Sequence, residues 1–353
     1  MASLIECAHL AWAVGIGPLS GGAHRTPLLP GWKALQAPPL AAQAEQALHG
    51  GGFGARAYLN PSTGDMVVAY RGRDLPSALP GPARQDLPEL LLGLSLVLGR
   101  QGVEIGTELR RQAITHCLAV VASAQRQGQD PGRLFFTGHG MGAALAASMA
   151  VWLGRPATLF AAAPFTVAGG GQDCHDALSH VSVQGEPMGY ARHAMPFAVS
   201  AERDRAIEAG QAPVSKALAL HRMDLHLALL LDERLPALMQ RLPELLPALC
   251  GGSPDPAHDL IGPLIEDQLR QGTGAPSALR RFIDDVEKLP LLSAFDTPPG
   301  GRQALIALLA ILHGSQAGRG TRPSRWPADE APPGPASGTQ HQHRPGIGVR
   351  EPA

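Results

Sequence analysis

Two hydrophobic periods alternate along the chain. Ala55 to Leu59 and Met66 to Tyr70 follow a two-residue period rich in β-branched and aromatic side chains, which predicts strands. Asn60-Pro61-Ser62-Thr63-Gly64-Asp65 between them has the Pro and Gly chemistry of a turn, so the pair reads as a hairpin. Leu134 to Phe136, Ala157 to Ala162 and His180 to Val183 are short apolar runs of the length of buried strands. Glu104 to Gln127 places Leu109, Ile114, Leu118 and Val121 near helical spacing and predicts a long amphipathic helix. Helix, strand and helix in succession favour a mostly parallel sheet covered on both faces by helices.

The flanks have a different texture. Met1 to Val14 reads as a first helix, followed by a Pro/Gly-rich loop from Gly15 to Pro39 that contains Gly31-Trp32-Lys33. Met223 to Leu249 is Leu-rich with helical character, and Pro236, Pro243 and Pro247 predict that it is kinked or split. Leu260 to Gln271, Ser277 to Lys288 and Arg302 to His313 predict three more helices. The expected organisation is a domain over 1–250, a helical extension over 251–318 and a tail over 319–353. That tail is Pro, Gly, Ser, Arg and His with almost no apolar residue, a composition expected to stay disordered. His341-Gln342-His343 within it reads as solvated rather than as a metal site.

The stretch Phe135-Phe136-Thr137-Gly138-His139-Gly140-Met141-Gly142-Ala143-Ala144-Leu145-Ala146 carries the chemistry. A strand runs into a glycine-punctuated turn and then into an Ala-rich helix. This is the setting of a nucleophile elbow, in which G-x-S-x-G lifts a serine hydroxyl above a sheet. Gly138, Gly142 and Ala143 are small enough to let strand and helix approach closely. The nucleophile position itself holds Gly140, which has no side-chain atom that can attack.

Around this stretch the sequence resembles the class 3 (fungal-type) lipases of the α/β-hydrolase superfamily. Thr137 to Ala146 match that family's T-G-H-S-L-G-G-A-L-A-like elbow apart from Gly140, Met141 and Ala143. Gly52 to Tyr58 and Val67-Val68-Ala69-Tyr70-Arg71-Gly72 look like its strand hairpin and F-R-G-T motif. Val181-Ser182-Val183-Gln184-Gly185-Glu186-Pro187-Met188 sits where the family has a strand ending in an acid. His221-Arg222-Met223-Asp224 resembles the segment with its histidine. The matches run in order over roughly Gly31 to Leu230. The resemblance implies an α/β-hydrolase fold, a lipid or acyl-ester ligand, and room for transient contact with a membrane surface. It also sets the apolar stretch within Leu75 to Arg100 where the family often has a lid; its own pattern indicates only a buried helix.

Ester hydrolysis of this kind needs a nucleophile, a histidine base, an acid that fixes the imidazole tautomer, and an oxyanion hole. The order nucleophile, acid, histidine is met by Gly140, Glu186 and His221. His226 is the rival histidine, and Asp173 and Asp176 are the rival acids. The oxyanion hole would use the backbone N–H of Met141, with a second donor from Arg73, where the family has a small hydroxyl residue. His139 is expected to be structural. The resemblance therefore implies a lipase-like protein whose turnover is lost or much reduced, with water activated by His221 as a slow route. An active lipase or esterase with a nucleophile from elsewhere is the alternative, as is a non-catalytic lipid-binding or scaffold protein.

Composition narrows this little further. A net charge of −1 gives no electrostatic reason for a nucleic-acid partner. Cys7, Cys117, Cys174 and Cys250 are widely spaced with no C-x-x-C pair, so buried free thiols are expected rather than a zinc site or disulfides. No metal or cofactor is expected. Ala, Arg, Gly and Pro usage beside few lysines suggests a high-GC bacterial source. The apolar start contains Glu6 and lacks a basic region, so it reads as a helix of the fold rather than a secretory signal. No run approaches the roughly 20 apolar residues that span a bilayer. A cytoplasmic protein is the resulting expectation.

Overall fold

The computed structural model describes residues 2–16, 29–35, 54–71, 109–165, 176–194, 199–210, 217–250, 260–271, 277–292 and 301–319. The Leu75 to Arg100 stretch, Arg73, Asp173, Cys174 and the tail lie outside them. The described residues build an α/β fold around one seven-stranded sheet in the order β1 to β7. These strands are β1 (Lys33–Ala34), β2 (Gly54–Asn60), β3 (Asp65–Arg71), β4 (Leu134–His139), β5 (Ala157–Phe160), β6 (Leu178–Val183) and β7 (Asp204–Ile207). The first three pair antiparallel, including the expected hairpin in which Ala57 faces Val68, and β3 to β7 are parallel.

Alternation along the strands divides the core in two. Met66, Val68 and Tyr70 join Phe136 on one face, beneath the helix over 109–126 (α2) and the helix Met141–Leu153 (α3). Val67 and Ala69 point the other way, against Leu10 and Val14 of α1 (Leu4–Ile16). α1 is apolar all round because it is covered all round. The sheet lies on one side, and α6 (Met223–Leu231) packs on the other. Ser3 and Glu6 cap its start reciprocally: the Glu6 N–H donates to Ser3 Oγ (3.3 Å) and the Ser3 N–H to Glu6 Oε2 (2.7 Å). Glu6 Oε1 also accepts from Trp32 Nε1 at 2.9 Å. This anchor sits beside Lys33–Ala34, so the expected loop contains a short edge strand.

Several sequence expectations shift. The buried stripe of α2 is Ala113, Cys117, Val120 and Ala124, whereas Leu118 is 50% exposed. Leu109, Ile114 and Val121 pack against the same cluster while partly buried. The Leu-rich region splits into α6, α7 (Arg234–Arg241) and α8 (Leu245–Cys250), after a short α5 (Ala217–Leu220). Pro243 lies at a break. Pro236 and Pro247 instead sit in first turns, where the missing N–H has no intrahelical acceptor anyway. β7 and α4 (Pro187–Ala194) had no sequence signal: Asp204-Arg205-Ala206 is exposed, and α4 mixes polar and apolar residues.

The three last helices, α9 (Ile261–Gln271), α10 (Ala278–Leu292) and α11 (Gly301–Arg319), share one apolar cluster with α1, Phe160 and Val181. Cys7, Cys117 and Cys250 are buried and free, and burial raises their thiols to about 11, 12 and 12.

The tightest approach in the fold is between β4 and α3. A Cβ placed on Gly138 would lie 2.5 Å from the carbonyl carbon and oxygen of Gly142 and 2.8 Å from Ala143 N. All three are backbone atoms, so nothing local can swing aside. Gly138→Ala is expected to destabilise the protein by about 1–3 kcal/mol or more, read as a lower urea midpoint with unchanged slope.

Candidate active site

The elbow is formed by one residue. Gly140 lies between β4 and α3 with φ 57° and ψ −122°, a region that side-chain-bearing residues occupy only under strain. Its backbone is held firmly: its N–H donates to Phe160 O (3.0 Å) and its carbonyl accepts from Ala163 N–H (3.1 Å). The apolar run of β4 and the small residues of α3 thus place position 140 at the carboxyl end of the sheet, outside its strands.

His221 and Glu186 meet at this point from distant parts of the chain. Glu186 follows β6 and is fully buried; His221 lies between α5 and α6. His221 Nδ1 is 2.9 Å from Glu186 Oε2. A carboxylate can only accept, so Nδ1 carries the proton and Nε2 keeps its lone pair. A Cβ on Gly140 would be 3.4 Å from that Nε2. The three sequence-predicted positions are therefore together, in the relative arrangement of nucleophile position, base and acid.

Arg192, one of the residues sequence reasoning missed, completes the acid. Its Nη2 donates to Glu186 Oε1 (2.8 Å) and its Nη1 to Ala162 O (2.8 Å), while the Met188 N–H donates to Glu186 Oε2 (2.8 Å). Burial alone would raise the Glu186 carboxyl. The hydrogen bond from His221 and the guanidinium charge of Arg192 outweigh it and bring the group down to about 2. Arg192 stands six residues after Glu186, and only the helical turn of α4 brings the two together.

The other histidines are occupied. His139 Nε2 donates to the His221 carbonyl at 2.6 Å, which fixes the backbone of the base. Burial, then the neighbouring His221 and His226, hold the His139 imidazole well below its ordinary value. His226 donates through Nε2 to Leu220 O at 3.0 Å, and burial lowers it to about 4. Its ring meets His139 edge-on rather than Glu186. Asp176, the described rival acid, is exposed.

A second histidine–carboxylate pair lies behind the site. His180 Nδ1 is 2.7 Å from Asp204 Oδ1, and its Nε2 accepts from the Ala162 N–H at 3.1 Å. Both ring nitrogens are used, so this pair orders backbone and has no base to offer. Burial lowers the His180 imidazole despite Asp204. Its partner on β7 was invisible because that strand was.

Met141 begins α3, so its N–H is among those without an intrahelical acceptor and lies at the positive end of the helix. Among the described residues no group of three or more His, Cys, Asp or Glu is placed to hold a metal ion. A cavity of about 440 Å³ lies between the first turn of α1, β7 and α6, and includes none of Gly140, Glu186 or His221. No helix among the described residues is long and apolar enough to cross a membrane. No protein-family model matches the chain, and no curated protein matches it.

The depressed Glu186 carboxyl has a consequence for acid stability. A group ionised more easily when folded stabilises the fold above its unfolded value, 4.5, and loses that contribution as pH falls toward about 2. Melting temperature should fall across that window. Glu186→Gln should lower it at neutral pH and flatten its dependence between pH 5 and 2.

Proposed function

We propose that this protein is an α/β-hydrolase of the class 3 lipase type, with a site for acyl esters or acyl chains and with turnover lost or strongly reduced. One observation carries the reading. A histidine oriented by a buried carboxylate presents its free ring nitrogen 3.4 Å from where a Cβ at position 140 would stand. Position 140 has the dihedral angles of a strained turn between a strand and a helix. The chain order of 140, 186 and 221, the parallel sheet and the N–H of Met141 at the start of α3 support the same reading. The ligand class is a lipid or acyl ester, recognised at the carboxyl end of the sheet.

Loss of the serine removes the acyl-enzyme route, while binding and oxyanion stabilisation alone can retain about 10³- to 10⁴-fold over water. Restoring the hydroxyl should restore the route. Gly140→Ser is expected to hydrolyse fluorogenic esters well above the unaltered chain, and His221→Ala or Glu186→Gln in that background should abolish the gain. The same substitution should lower stability by about 1–3 kcal/mol, because it forces a side chain into a left-handed backbone. A folded Gly140→Ser variant that is inert toward esters from short to long chain, and whose melting temperature does not respond to fatty acids, would sink the proposal in favour of a scaffold.

A further inference from the structure

The glycine leaves more than a missing atom. Among the described residues, apart from the chain neighbours of Gly140, a Cβ there would meet only His221 within 4 Å, at 3.4 Å from Nε2 and 3.8 Å from Cε1. His221 Nε2 has no hydrogen-bond partner among the described residues, whereas Nδ1 is held by Glu186 at 2.9 Å. A ring nitrogen without a partner among the described residues thus stands 3.4 Å from where a Cβ at 140 would be, beside the first N–H groups of α3.

We infer that the unaltered chain hydrolyses acyl esters by direct attack of water, taken up in the place of the serine hydroxyl, without an acyl-enzyme intermediate. The inference rests on the lipase-like reading of the same site. Water gives a proton to His221 Nε2 as its oxygen bonds to the acyl carbon. The resulting oxyanion lies at the Met141 end of α3. Its collapse breaks the bond to the alkoxide, which takes the proton back from His221. Ester and water become acid and alcohol, and the protein ends unchanged. Glu186 stays ionised throughout, held by Arg192 and the Met188 N–H, and stabilises the transient imidazolium. The route lacks the split into two easier steps that a covalent nucleophile provides, so it is slow.

The test uses the full chain and p-nitrophenyl esters of short to long acyl chains, followed by rapid mixing and intact mass. The unaltered chain should release nitrophenol linearly from the first turnover, with no acyl adduct. His221→Ala should lower that release by about 10²-fold or more, the range of general-base catalysis. Gly140→Ala, whose methyl group lies within a bond length of the place of the attacking oxygen and crowds it out, should also abolish it, with folding of each variant checked by circular dichroism. Gly140→Ser should show a burst and an acyl adduct. Release that survives His221→Ala, or an acyl adduct on the unaltered chain, overturns direct attack. If Gly140→Ser forms the adduct while the unaltered chain shows no His221-dependent release, direct attack fails and the lipase-like reading stands. If both chains are inert, direct attack fails, and the lipase-like reading fails with it when fatty acids also leave the melting temperature unchanged.

Discussion

A buried carboxylate that must stay charged holds the site together. Glu186 is out of contact with water, and an isolated ion there would be costly by several kcal/mol. The arrangement is tolerable because a guanidinium, an imidazole N–H and a backbone N–H all converge on it. Two of those donors, Arg192 and the Met188 N–H, come from α4 and the third from the α5–α6 junction. Satisfying one anion therefore ties both segments to the turn after β6. Arg192 extends the tie to Ala162 O, and His180 receives the N–H of that same residue. The turn after β5, which includes Ala161 at φ 43°, is thereby held against Gly140.

This frame orients an imidazole through one nitrogen and leaves the other beside position 140, the arrangement on which the proposed function rests. A structural ion pair could be replaced by apolar side chains of the same volume with little loss or some gain. Here the chain retains a histidine with one nitrogen bound and the other without a partner among the described residues, next to a backbone conformation that costs a side chain strain. His180–Asp204 is the internal contrast. The same two residue types meet at 2.7 Å, and both nitrogens are consumed.

What could be read from sequence was what is local. The hairpin, the strand into Gly138 and the helix from Met141 follow from periodicity and small residues over a few positions. Glu186 and His221 could be placed only through chain order and family resemblance, since 35 residues separate them. Arg192 and Asp204 escaped because α4 and β7 lack a hydrophobic period. On α2, Leu109, Ile114 and Val121 pack against the core as expected, but the fully buried positions are Ala113, Cys117, Val120 and Ala124, three of which give weak hydrophobic signals, and Leu118 is exposed. The prolines predicted a kinked or split region, and it is split, although Pro236 and Pro247 sit in first turns rather than at the breaks.

The position of α1 has a consequence for how the chain reaches this state. The parallel strands follow one another in sheet order, so each can add beside its predecessor as synthesis proceeds from the N-terminus. α1 cannot be finished that way. Its partners on one side are β3 and β4, but those on the other belong to α6, more than 200 residues later. A helix with scarcely a polar side chain beyond its first turn must stay uncovered on one side until Met223–Leu231 has been made. The first helix of the chain is therefore covered on that side by a segment that lies more than 200 residues further along it.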